Sequence, residues 1–510
     1  MKKQSLVKGS LILAAAGIIS KFLGFFFRWP LIMLIGDEGI AYYQLVYPLY
    51  MFFAAMAAGV PIAVSKIISE KNAVGDVEGS FEVVKESAYM MALLGIGTSV
   101  ILFVLAKPII NFLKWDMKSY YALVGISFAP AMVSFMTIFR GFFQGLQNMT
   151  PSGISQILEQ IGRVLIGVGL AIFLLPKGIE VSAGGAAFGA AGGALIALIY
   201  LLIKYKYIKK EYGIRKVKTN TDVLTQILKV AIPISVGATV GTVMSLIDSI
   251  LVPQQLLKAN VANSVALYGQ LTGKAAVLVN LPLTLSVAIC TSLIPIIAEL
   301  YMLKRKQEME SKINTALKLS SVIALPCTLG LYFLAEPIMK LVFFQRYEGI
   351  EILKYLSLSV PFIIITQTTT AVLQATNYYY RPVVNLFIGC IVKVILTWVL
   401  VPIPSVNIYG AVIASICAYL VVAILNIISL KNKIQFTVDI SNSFIRPLCA
   451  SITMIIGVLV TYNFMIIKTN TISISCLFSV FVGIIIYIIA ILLFKVFELD
   501  DIKRRIARKW

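Results

Sequence analysis

Fourteen stretches of roughly twenty or more predominantly apolar residues follow one another along the chain. They lie approximately at 8–34, 43–68, 86–110, 120–146, 152–175, 184–204, 224–252, 271–299, 315–342, 352–375, 382–402, 409–430, 445–467 and 472–494. A run of this length matches a hydrocarbon core of about 30 Å only as an α-helix, because lipid offers no partner to a free backbone N–H or C=O. A membrane barrel would show short strands of alternating polarity instead. The expected fold class is an all-α integral membrane protein with about fourteen transmembrane helices. Charged residues are 13% of the chain and hydrophobic ones 59%, whereas a soluble domain carries about a quarter charged. The opening MKKQSLVKG followed by LILAAAGIIS imitates a secretory signal, but the apolar run continues past Phe25 with no convincing small-residue cleavage site. It reads as a retained first helix.

The basic residues set the orientation. With fourteen spans and a cytoplasmic N-terminus, the even-numbered connections and both termini hold Lys2, Lys3, Lys66, Lys71, the run KYKYIKKEYGIRKVK at 204–218, Lys304, Arg305, Lys306, Lys312, Lys431, Lys433 and the tail KRRIARK. The odd-numbered connections offer mainly Lys114, Lys118, Lys177, Lys258, Arg346 and Lys468. This asymmetry places both termini in the cytoplasm. It also accounts for most of the net charge of +21, which reads as topology and attraction to anionic membrane lipids, with no nucleic-acid partner.

A repeat organises the helices. LAKPIINFL at 105–113 is answered by LAEPIMKLV at 334–342. Leu105 and Leu334 are 229 positions apart, Pro130 and Pro361 231, Gln144 and Gln374 230, and Arg163 and Lys393 230. Nearer the start, YYQL at 42–45 matches YGQL at 268–271 at an offset of 226, so a longer connection between helices 7 and 8, around Gln254 to Gly269, is expected to absorb the drift. The shift equals six helices, an even number, so the copies run in the same direction. Two parallel-repeat six-helix bundles around a central cavity are expected, residues 1–215 and 216–433, with helices 13 and 14 and a basic cytoplasmic tail appended over 434–510. Parallel repeats of this kind recur in alternating-access transporters.

Ionisable residues within the spans are costly and mark cavities or pathways. Lys21 and Arg28 lie seven residues apart, nearly on one helical face, and suit an anion; Lys21 at an interface and Arg28 paired with a neighbour is the structural alternative. Gln156, Glu159, Gln160 and Arg163 form a polar stripe at i, i+3, i+4 and i+7, with Glu159 and Arg163 placed to pair. Arg140 is either cavity lining or an anchor at the cytoplasmic edge. Lys393 takes the place of Arg163 in the second copy, where Gly389 stands opposite Glu159, so it has no local carboxylate of that kind. Asp248, alone in the apolar SLIDSILV, lies at nearly the depth of Arg28 counted from the matched Lys8 and Lys229. It is a candidate gating partner of Arg28 or a site for a coupling cation.

Other chemistries are excluded or weak. The chain has no His, which removes His-based metal sites and Ser/His/Asp triads, and no GxxxxGK[ST] for nucleotide hydrolysis. Six cysteines are scattered through apolar segments without a CxxC pair and read as core residues. Gly184, Gly185, Gly189, Gly192 and Gly193 read as close helix packing, not a phosphate loop.

The stretches FRGFFQGLQNMTPSGISQILEQIGRV at 139–164, GVPIAVSKIIS at 59–69, KFLGF at 21–25 and the two LA[KE]PI motifs resemble the polysaccharide-transporter branch of the multidrug/oligosaccharidyl-lipid/polysaccharide exporter superfamily, and within it the sporulation and lipid II flippase-like members. The likeness spans essentially all fourteen runs and is most specific in the fourth and fifth. It implies a flippase, not an enzyme, in the bacterial cell membrane. The implied cargo is an undecaprenyl-pyrophosphate-linked saccharide, a peptidoglycan precursor, with membrane lipids and cell-wall synthesis proteins as partners. No cofactor is expected; a coupling cation or the membrane potential is the candidate energy source. Drug exporters of the superfamily that run on cations typically use carboxylates in their first bundle, whereas the first helix here carries cations. A cation-coupled small-molecule exporter stands as the alternative within the superfamily. A membrane glycosyltransferase or an assembly scaffold is the alternative outside it.

Overall fold

The computed structural model describes residues 4, 6–214, 221–434 and 437–497. Lys2, Lys3, the end of the 204–218 run and the basic tail lie outside the described residues. All fourteen apolar runs fall on helix, and no strand occurs among the described residues. Among the described residues, eleven helical stretches are long and apolar enough to cross a membrane, or twelve when one pair bent by 42° is taken as a single span. Two of the fourteen expected spans are joined, residues 11–73 forming one 63-residue helical stretch. At 1.5 Å per residue this would extend ~95 Å, some three times the hydrocarbon thickness, so it cannot cross as one rod. It is broken twice.

The first break is at Gly36 inside α1 (Leu6–Met56), where φ is 68° and ψ −168°, a conformation open to glycine and strained for other residues. The second is the turn at Ala57 and Ala58 before α2 (Gly59–Ala73). Gly59 is required there by packing: a Cβ would fall 2.0 Å from the carbonyl oxygen of Ala231. Its freed N–H is satisfied by Ser235 Oγ at 3.1 Å, so the break leaves no orphan donor in the membrane.

The molecule consists of two compact units, Met1–Gly269 and Gln270–Trp510. The first continues through α3 (Val77–Val104), α4 (Ala106–Leu113), α5 (Tyr120–Ile126), α6 (Ala129–Gly145), α7 (Met149–Leu174), α8 (Ile179–Glu211), α9 (Thr221–Lys258) and α10 (Ser264–Gly269). α9, which the repeat assigns to the second copy, packs in this unit against α1 and α2. Between α2 and α3, Asp76 caps α3 by accepting the Gly79 N–H at 2.8 Å and pairs with Lys71 at 2.8 Å. These two bonds hold its carboxyl below the usual range, the Lys71 bond being the larger cause.

The second unit opens on a π-helical turn at Gln270–Ala275, followed by α11 (Ala276–Met302), α12 (Lys306–Phe333), α13 (Ala335–Phe343), α14 (Ile350–Ser357), α15 (Val360–Ala375), α16 (Tyr380–Leu400), α17 (Ile408–Ile434), α18 (Arg446–Thr469) and α19 (Ile472–Leu493). The appended pair α18 and α19 packs together and onto α12 and α13, with Leu334, Met454, Ile455 and Val458 in one buried cluster. Phe112, Leu93, Ile467 and Leu493 are 72–84% exposed, an outward apolar surface suited to lipid and foreign to water-soluble proteins. Inside, hydroxyls such as Thr328 and Ser451 bond the carbonyl four residues back at 2.7 Å and so carry no unmet polar group into the helix packing.

The repeat is written in the backbone as well as the sequence. The helix breaks at Leu105, between α3 and α4, and at Leu334, between α12 and α13, with nearly the same torsions (φ −91°, ψ 15° and φ −102°, ψ 20°). Each break is followed by the Pro of its LA[KE]PI motif. Left-handed residues recur at the same offset: Gly75 and Lys304, Lys114 and Phe344, Gln147 and Asn377, Gly178 and Asn407 are each 229 or 230 positions apart. The connection between α9 and α10 is only 259–263, shorter than expected, yet it still exceeds its counterpart in the first copy, the single residue Gly36.

Candidate functional site

α7 is the helix on which the site is built. It packs nearly backbone to backbone against α8, whose facing side is stripped to glycine. A Cβ on Gly193 would fall 2.3 Å from the Glu159 carbonyl oxygen, and one on Gly189 would fall 2.6 Å from the Gly167 Cα. The glycines of α8 are thus packing residues, as the sequence suggests. Gly193→Ala is expected to cost about 1–3 kcal/mol through overpacking and to lower the thermal midpoint of the purified protein; an unchanged midpoint would remove this account of the α7–α8 seam.

α7 also meets α1. Gly153 faces Ile12 and Ala16, the Gln160 side chain approaches Gly24, and Gly167 abuts the Phe27 ring. Between these levels lies a buried charge cluster. Glu159 Oε2 receives Arg140 Nη2 at 3.0 Å from α6, and Glu159 Oε1 receives Arg163 Nη2 at 3.3 Å from the same helix. The i, i+4 pair foreseen from sequence is formed, and Arg140 joins it from outside. Arg140 is further fixed: its Nε donates to Ser155 Oγ at 2.8 Å, and its carbonyl accepts Ser152 Oγ at 3.1 Å. Arg163 is 9% exposed, and its Nε has no hydrogen-bond partner among the described residues. Gln156 sits half-buried one turn before Glu159.

Aromatic side chains complete the surroundings. Tyr43, Tyr47 and Tyr50, on α1 beyond Gly36, lie within electrostatic reach of Arg163. Tyr43 and Tyr47 stack at 5.4 Å, and the Arg28 guanidinium sits over the Tyr47 ring at 6.0 Å. Arg28 and Arg163 therefore share Tyr47 as a neighbour, Arg28 over its ring and Arg163 within its electrostatic reach. Lys21 is exposed on α1 and does not join this cluster; Asp248 is half-buried on α9. The tyrosines went unread in the sequence although YYQLVYPLY carries them at i, i+4 and i+7. A largely apolar cavity of about 410 Å³ elsewhere in the first unit is lined by Phe53, Pro61, Gly95, Thr98 and Pro130 among others, with no charged residue. It does not suit a charged head group.

In the second unit Lys393 is 2% exposed on α16. A turn or more away Asn385 bonds Asn426 at 2.8 Å, and Asn426 bonds Thr369 and Thr370 at 3.1 and 3.0 Å, tying α16, α17 and α15 together. A second buried cation was not anticipated. Lys274 is fully buried in the π-helical turn, donates to Glu348 Oε2 at 3.0 Å and lies 5.9 Å from the Phe343 ring centroid. Nothing in QLTGKA marks it, because π turns have no sequence signature comparable to a cap or a period.

Helical units with paired breaks, and a charged cluster held inside lipid-length helices, describe a polytopic membrane protein, and its relatives place it among transporters of the multidrug/oligosaccharidyl-lipid/polysaccharide superfamily. The chain belongs to the polysaccharide biosynthesis protein family, whose model matches residues 6–301; a MatE family model matches residues 233–399. It is 29% identical to stage V sporulation protein B of Bacillus subtilis (strain 168) over 520 residues, covering 99% of this chain and 98% of that one. It is 27% identical to the lipid II flippase MurJ of the same organism, covering 85% and 84%. Among solved structures, the inward closed conformation of a lipid II flippase MurJ superposes with a TM-score of 0.73 at 18% identity, covering 94% of this chain and 98% of that chain. An inward-facing multidrug resistance MATE family transporter superposes with 0.69 at 15% identity, covering 83% and 98%.

Proposed function

We propose that this transporter moves a polyprenyl-diphosphate-linked saccharide, a peptidoglycan precursor of lipid II type, from the cytoplasmic to the outer leaflet of a bacterial cell membrane by alternating access, with both termini cytoplasmic. The observation that supports this most is the grouping of Arg28 and Arg163 about a tyrosine cluster inside the first unit. Guanidinium forks and phenolic hydroxyls are suited to phosphoryl oxygens, and a diphosphate is the charged part of such a lipid. Similarity to a protein named as a lipid II flippase points the same way. Lys393 is the candidate cation of the second unit. Gln156 and Glu159 shape the α7 side, Lys21 is a candidate for the cargo's approach, and Asp248 is the candidate for gating or cation coupling.

A cation-coupled exporter of small molecules is the second reading, favoured by the MATE fold likeness and by Asp248. The two separate in proteoliposomes. Purified wild-type protein is expected to relocate a labelled polyprenyl-diphosphate saccharide between leaflets without changing its mass. Movement of cationic dyes with no movement of the lipid would replace the first reading by the second, and a change in the lipid's mass would point to an enzyme.

A further inference from the structure

We propose that Glu159 is a resident counter-anion of the first unit's site: its carboxylate occupies Arg163 until an anionic group of higher charge competes for that guanidinium, and it thereby sets the site's preference for a diphosphate over singly charged anions. This rests on the anionic-cargo reading and assigns Arg140, Glu159 and Arg163 different roles within it.

The geometry separates the two arginines. Arg140 is held by Glu159 Oε2 at 3.0 Å and Ser155 Oγ at 2.8 Å, while Ser152 bonds its backbone. It staples α6 to α7. Arg163 has one bond to the same carboxylate, at 3.3 Å, longer than the roughly 2.7–2.9 Å usual for a charge-assisted bond. A guanidinium carries five N–H donors, and here its Nε is buried with no partner among the described residues. A buried donor left unmet costs about 1–3 kcal/mol, which favours any acceptor that reaches it.

Charge points to the same ligand. Two guanidiniums and one carboxylate leave the cluster at a formal +1, and Arg28, over the Tyr47 ring, brings the neighbourhood to +2. A monoanion gains little by exchanging with Glu159, because it replaces like with like. A dianion with several oxygens meets both Arg163 and Arg28 with the tyrosine hydroxyls as further donors. Glu159 is thus a positioning residue: it fixes Arg140 directly and holds Arg163 loosely enough to be released.

The test uses the full chain in nanodiscs, with inorganic pyrophosphate and inorganic phosphate as probes read by titration calorimetry. Glu159→Gln, which keeps the shape and removes the competing charge, is expected to bind pyrophosphate about tenfold more tightly than wild type and to narrow the gap between pyrophosphate and phosphate. Adding Arg163→Gln is expected to abolish the gain. A purely structural cluster predicts weaker or unchanged binding in Glu159→Gln, and either result in a folded protein overturns the proposal. Should Glu159→Gln not fold, Tyr47→Phe in the wild-type background carries the test: at least threefold weaker pyrophosphate binding supports the site, and unchanged binding overturns it. Lipid translocation by the same preparations keeps the two ideas apart. Wild type that flips the lipid while Glu159→Gln shows no gain ends the counter-anion proposal alone; a pyrophosphate gain without lipid movement upholds it and ends the cargo reading.

Discussion

Glu348→Ala is expected to destabilise the protein by about 2 kcal/mol through the lysine it leaves behind. Breaking a buried ion pair by removing one partner costs roughly 3–5 kcal/mol, because the other charge stays out of water. Here the lysine is fully buried but the Glu348 side chain is 57% exposed, and solvent screening reduces the figure. Lys274→Met tests the converse. It removes the desolvated charge while filling the space, and near-neutral stability is expected of it. Thermal unfolding in detergent of Glu348→Ala, Lys274→Met and the double variant reads the asymmetry directly. Equal losses from both single changes would mean that the pair is a net source of stability and would contradict this account.

The same pair gives a dependence on pH. Burial raises the Glu348 carboxyl, but a bond from its own backbone N–H and the hydrogen bond and charge of Lys274 outweigh it, and the net position is below the ordinary 4.5. A carboxyl held down in the folded state favours folding above its unfolded value and loses that contribution as pH falls through its folded one. The wild type is therefore expected to lose stability below about pH 4.5 more steeply than the double variant.

Arg28→Ala is expected to lower translocation of the polyprenyl-diphosphate saccharide by about 10–100-fold at matched insertion, the equivalent of the 1.5–3 kcal/mol carried by a hydrogen bond to a charged group. Lys393→Ala is expected to fall in the same range if its cation serves the cargo. Arg28→Lys separates charge from geometry: the ammonium keeps the charge but loses the planar fork and most of its stacking on Tyr47, so partial activity is expected. Full activity of Arg28→Ala in a preparation whose wild type flips the lipid would move the anion site away from α1.

The helices were legible because lipid imposes one rule on every residue: a backbone that crosses it must bond to itself. Run length therefore revealed the elements, and the 229–231 spacing revealed their order of repetition. What run length cannot reveal is where a helix bends without becoming polar. Gly36 is flanked by apolar residues on one side and Asp37 on the other, so the chain reads as a loop from 35 to 42, yet the helix resumes at once. In the site, Glu159 and Arg163 were legible from their i, i+4 spacing. The partnership of Arg140 with them was not, because it depends on how α6 and α7 are rolled, and that roll is set by the glycine face of α8 and by Ser152 and Ser155. Lys274 escaped for a related reason: its burial is a property of the extra residue in a π turn, and its partner lies 74 residues away.

The paired left-handed residues carry a consequence for how such a chain diverges. At one corner the first copy has Gly178 and the second Asn407; at another the first has Gln147 and the second Asn377. The positive φ is met at Gly178 by having no Cβ, at Asn377 and Asn407 by a short amide that tolerates it, and at Gln147 by neither device. What descends from copy to copy is thus the curvature of the main chain, while the side chains that permit it drift. Two halves of one protein then keep a common architecture with little common spelling, each free to acquire its own charges: a carboxylate at Glu159 in one, a glycine at Gly389 in the other.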